Sequence, residues 1–109
     1  MPRFLIQATF NQEAAKRLIE DGGTKRAAAV QELLKQQEAR LESLYFSPQN
    51  DGPDAYAIVE VPAGGADVLG AIALAGRTTG ITLTVRRIFT PEELDKLAEK
   101  SKGLPVPGK

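Results

Sequence analysis

The stretch from residue 41 to 61 constrains this chain most. Two runs of alternating apolar and polar residues, 41–47 and 54–61, flank Pro48-Gln49-Asn50-Asp51-Gly52-Pro53, a segment dense in turn formers. Alternation sends successive side chains to opposite faces of a strand. The stretch therefore reads as an antiparallel hairpin, with Leu44 and Phe46 on one side of its first arm and Ser43 and Tyr45 on the other. Helical runs border both arms, so the hairpin needs further strands to complete a sheet.

Those strands stand at 3–10 and 81–89. In the first, Phe4, Ile6, Ala8 and Phe10 share one face and Arg3, Leu5, Gln7 and Thr9 the other. In the last, Ile81, Leu83 and Val85 oppose Thr82, Thr84 and Arg86, and the alternation slips at Arg87-Ile88, a bulge or the strand's end. Between strands one and two, residues 11–20 read as a short helix with Asn11 as N-cap, broken by Asp21-Gly22-Gly23. Thr24 then caps a longer helix to about residue 38, with Ala27, Val30, Leu33 and Leu34 at helical spacing. After the hairpin, Pro62-Ala63-Gly64-Gly65 leads into a helix over 66–75 with Val68, Leu69, Ile72 and Ala75 as its stripe. Thr90-Pro91-Glu92-Glu93 is the sharpest local signal: Thr at N-cap, Pro at N1 and Glu at N3 make a capping box. That helix runs to about residue 100.

The order is β-α-β-β-α-β with a terminal helix. Short right-handed connections turn it into an α+β, ferredoxin-like βαββαβ fold. Its four-stranded antiparallel sheet carries the main helices on one face, with a short helix after strand one and a C-terminal helix. Residues 1–102 make one domain, and 103–109, rich in Pro and Gly, a loose tail. The apolar faces, from Phe4 through Leu44, Phe46, Ala57 and Val59 to Ile81, Leu83 and Val85, are expected under the helices.

Composition narrows function. There is no Cys and no His, which removes thiol nucleophiles, disulfides, Ser-His-Asp and Cys-His catalysis and His-metal sites. Fourteen Lys and Arg balance fourteen Asp and Glu, so the chain has no electrostatic footprint for nucleic acid or an anionic membrane. No run of about twenty apolar residues or signal-peptide pattern is present, and cytoplasmic location is the expectation. No cofactor and no metal are expected.

The second sheet face would hold Gln7, Thr9, Tyr45, Tyr56, Glu60, Thr84 and Arg86 beside Leu5 and Ile58. It is too apolar for solvent and too charged for a monomer core, and suits a second copy of the chain. These seven residues are the candidate lining of a cleft between two such sheets. Glu60 and Arg86 read either as an ion pair fixing dimer register or as a pair orienting a small polar ligand, with the tyrosines as walls. Asp54 shares a strand face with Glu60, but six residues put them roughly 20 Å apart. A turn-closing role for Asp54 beside Pro53 is expected instead. Gly64-Gly65 lacks the order and the Lys-Ser/Thr of a phosphate loop. Tyr45 and Tyr56, expected on central strands, are too few and too uncharged in their surroundings for an RNA-stacking sheet.

The order and spacing resemble the GYD domain family over about residues 3 to 98. The best match runs from Tyr45 through Gly52, Asp54, Glu60 and Pro62, with Gly80 and the strand 81–90 next, and Arg26 at the start of the long helix. The name-giving Gly-x-Tyr-Asp is altered: Pro53 stands where Tyr is expected, and Tyr56 lies two residues past Asp54. The resemblance implies a dimeric α+β barrel with two ferredoxin-like sheets face to face. Because that architecture hosts many roles, two functions follow as expectations. One is a non-catalytic homo-oligomeric module with a small ligand in the inter-sheet cleft. The alternative is a cofactor-free enzyme acting on a small polar or aromatic metabolite, with Glu60 as base, Arg86 as anion partner and a tyrosine as acid.

Overall fold

The computed structural model describes residues 1–49, 51–105, 107 and 108. Asn50 of the expected turn, and Val106 and Lys109 of the expected tail, lie outside the described residues. The strands are β1 (Arg3–Phe10), β2 (Arg40–Phe46), β3 (Ala55–Glu60) and β4 (Ile81–Ile88); the helices are α1 (Gln12–Gln36), α2 (Ala66–Arg77) and α3 (Pro91–Lys102). The sheet is antiparallel throughout, in the order β2-β3-β1-β4, the ferredoxin-like arrangement that the element order predicts. Tyr56 lies on a central strand as expected, but Tyr45 does not: β2 is an edge.

Two points of local structure are resolved. The short helix and the longer one after it both form, run together as α1 across a non-helical residue at Gly22. The break is confined to Gly22, whose φ of 78° and ψ of 167° suit glycine alone. No capping bond from the Thr24 side chain is present among the described residues. Strand β4 pairs in regular register to Arg3↔Ile88, so the slip at Arg87-Ile88 marks the strand's end. The bulge sits instead in β2, where the register against β3 shifts between Leu41 and Ser43.

The caps expected at Asn11 and Thr90 form. Asn11 Oδ1 accepts from the Ala14 N–H at 3.0 Å, and the Asn11 N–H donates to the Gly80 carbonyl at 2.8 Å, tying the start of α1 to the loop before β4. At α3, Thr90 Oγ1 accepts from the Glu93 N–H at 3.1 Å while the Glu93 carboxylate accepts from the Thr90 N–H at 2.8 Å. The Asp54 carboxylate does accept a backbone N–H, but from outside the turn expected beside Pro53: it takes the Phe10 N–H at 2.8 Å and ties the hairpin to the end of β1.

Leu34, Ala39, Val59, Val61 and Leu69 form the buried core, and Phe4, Ile6, Val30, Ala57 and Ile72 pack against it half-covered. The helices therefore do lie on the predicted apolar face. The layer is open, however. α1 sits mainly over β2 and α2 over β4, so the central strands β1 and β3 are roofed only in part. Val85, expected inside, is 37% exposed. α3 buries none of its residues, and Leu94 and Leu97 stand exposed on it. The radius of gyration is 16.5 Å, against about 13 Å for a compact chain of this length. No helix among the described residues is long and apolar enough to cross a membrane.

Candidate functional site

Strand register decides which candidate residues meet. Tyr45 pairs with Tyr56, Tyr56 with Gln7, and Gln7 with Thr84, so these four make one row across the second face. Thr9 stands in the row beyond, opposite Thr82. Arg86 lies one row to the other side, opposite Leu5, which also faces Ile58. Glu60 lies one row further, between Arg3 and Arg40. All seven residues thus share the face that the alternation predicts.

The expected pairing of Glu60 with Arg86 does not form within the chain. β1 lies between their strands, and one row separates them along it, about 12 Å between Cα atoms by sheet spacing. Glu60 instead hydrogen-bonds Arg40 and lies 3.7 Å from Arg3, which reaches Glu42 at 3.0 Å. The bulge in β2 produces this cluster. It sets Arg40 opposite Glu60 and leaves Glu42 without a cross-strand position in the register. The Glu60 side chain is only 11% exposed. The Arg40 hydrogen bond, then the charges of Arg40 and Arg3, hold its carboxyl below the usual carboxylate range against the opposing effect of burial. The same bond raises Arg40 above its ordinary value. Arg86 is exposed and has no ion-pair partner among the described residues.

A second arrangement groups around Arg87 at the end of β4. Its guanidinium lies 4.2 Å from the Phe89 ring centroid and 5.8 Å from that of Phe4, and 3.6 Å from Glu93. The hydrogen bond from the Thr90 backbone holds the Glu93 carboxyl below its ordinary range, with Arg87 adding to the effect. This arrangement fixes where α3 leaves the sheet, and it borders neither the cavity on the helix side of the sheet nor the one beside α2.

A sizeable cavity lies on the opposite side of the sheet from the candidate row. A crevice of about 670 Å³ runs between α1 and α2, floored by β1 and β3 side chains such as Ile6, Ala8 and Ala57 and walled by Val30 and Ile72. Neither Glu60 nor Arg86 borders it. Periodicity assigns all these floor and wall residues to a core, correctly as to face. The separation of the two helices, which opens the space, leaves no mark in the spacing of apolar residues.

The order of strands, the helices on one face and the free second face define an α+β protein of ferredoxin-like topology. The GYD domain matches residues 4–98, and the chain belongs to that family. No protein of curated function and no solved structure matches it.

Proposed function

We propose that this chain is a non-catalytic homodimeric module, joined through the helix-free sheet face, with a small ligand held between the two sheets by the row Tyr45, Tyr56, Gln7 and Thr84. The observation that carries the reading is the make-up of that face. Leu5 and Ile58 form an apolar centre, only half-buried within one chain, while the charges beside it are already neutralised among Arg3, Glu42, Glu60 and Arg40. Such a face suits its own copy about a two-fold axis, with Arg86, opposite Leu5 and unpaired among the described residues, left as the charge that the partner sheet or a ligand has to satisfy.

Size bears on the same reading. Four strands about 4.8 Å apart and some 25 Å long give roughly 500 Å² in projection, below the ~800 Å² per partner of a standard interface. The exposed leucines of α3, on a helix that its own chain leaves uncovered, supply further apolar area for a second copy. The chain's lack of His and Cys favours binding over catalysis. Sedimentation velocity at tens of micromolar tests the proposal. A dimer is expected, and Ile58→Glu, which places a charge at the centre of the face, should yield monomer. A clean monomer for the parent chain overturns the reading.

A further inference from the structure

The crevice between α1 and α2 has a charge pattern of its own. Its volume, about 670 Å³, falls within the roughly 300–1,000 Å³ typical of small-molecule sites. Among its lining residues there is one cation, Arg26, and one carboxylate, Asp67. Topology sets these at opposite ends. α1 starts beside Gly80, above the Phe10–Ile81 end of the sheet, and runs back toward Arg40. α2 runs the other way, starting just after the Glu60 end. Asp67 therefore stands at the Glu60 end. Arg26, whose Cζ is 5.6 Å from the Phe10 ring centroid, stands at the far end.

The two charges differ in how well the chain satisfies them. Asp67 is exposed and sits in the first turn of α2, where the helix dipole favours a carboxylate. Arg26 is half-buried, and its guanidinium has no carboxylate or hydrogen-bond acceptor among the described residues, only the face of Phe10. A partly desolvated guanidinium at the end of an apolar trough calls for an anion. Because it is the only cation in the lining, one negative charge is complemented and a dianion is not. The floor from the Phe10 row to Val59, six residues along the strands, is roughly 20 Å long, the reach of an extended chain of about fourteen to sixteen carbons.

We propose that the crevice binds a long-chain monocarboxylate, its acyl chain laid over β1 and β3 between the helices and its carboxylate held by Arg26. The site lies on the other side of the sheet from the proposed interface and does not depend on dimer formation.

Titration calorimetry of the full, delipidated chain with hexadecanoate, kept below its aggregation concentration, tests this. One equivalent per chain is expected. Arg26→Gln should weaken hexadecanoate binding about tenfold or more, the loss expected for a charge-assisted contact, and leave methyl hexadecanoate binding unchanged. Circular dichroism confirms that the variant is folded, as expected for a side chain half-exposed on a helix. Arg86→Gln serves as the control on the other sheet face and should bind as the parent does. Three results overturn the proposal: no binding by the parent; equal loss of acid and ester in Arg26→Gln; or loss in Arg86→Gln with Arg26→Gln unaffected, which would put the ligand between the sheets.

Discussion

Gly80 is a position where a single methyl group meets both backbone and side-chain resistance. Its φ is +82°, a conformation that costs an L-residue about 1–2 kcal/mol. A Cβ built there runs into the side chain of Asn11, the N-cap of α1. Gly80→Ala therefore adds the loss of that cap, typically about 1 kcal/mol, for a total near 2–3 kcal/mol. The sum can be dissected. Asn11→Ala alone should cost about 1 kcal/mol, but in the Gly80→Ala background the cap is already displaced and the same substitution should cost almost nothing. The coupling in the double-mutant cycle is then about 1 kcal/mol. Gly22→Ala is the control, since it has a similar φ of 78° and no atom within 4 Å of its Cβ; it should show the backbone cost without any coupling to Asn11. Urea unfolding at one fixed protomer concentration gives all these values. Additive costs for Gly80→Ala and Asn11→Ala would refute the link between the two residues.

Three further outcomes follow from the same geometry. The Glu60 carboxyl titrates below its ordinary value because of Arg40 and Arg3. Its contribution is therefore complete above the unfolded value of about 4.3 and is lost as pH falls through the folded one; Glu60→Gln should flatten the acid limb of the stability–pH curve measured by urea midpoints, and an unchanged limb would contradict the ion cluster. Thr90→Ala removes one arm of the capping box, worth about 1 kcal/mol to α3. Because α3 leans so little on the body, hydrogen exchange should quicken over residues 91–102 and hardly change in the sheet. Gly103 and Leu104 still donate to the last carbonyls of α3, so deleting residues 105–109, beyond those bonds, should leave the melting temperature nearly unchanged.

What the sequence revealed follows from which interactions are local. Alternation from Phe4 to Phe10 and in 55–60 fixes the strands and their faces, since side-chain direction in a strand is set by its own backbone. Thr90 to Glu93 fixes the start of α3, because a capping box closes within four residues. The break in α1 was legible too, since Asp21-Gly22-Gly23 marks it, and the structure adds that Gly22 alone absorbs it. The partners of Glu60 were out of reach. They depend on the extra residue in β2, and a bulge at Glu42 has no local signature when Arg40, Glu42 and Ser43 are all polar. The crevice was hidden for a related reason, because the stripes on α1 and α2 specify that each helix meets the sheet and say nothing of the distance between them.

The two outer strands have a consequence for how copies of this chain can associate in a crowded solution. A bare strand edge offers unpaired amides to any other chain and can nucleate open-ended stacking. β2 breaks that template with its bulge and with Arg40 and Glu42, both exposed, beside it. β4 carries the exposed Arg86 near its end, without an ion-pair partner among the described residues, a cation that repels the same edge of another copy. Growth by adding strand to strand is obstructed on both sides. A two-fold contact through the sheet face, as proposed, would close on itself in a particle of fixed size, whereas contacts through the edges would extend without limit.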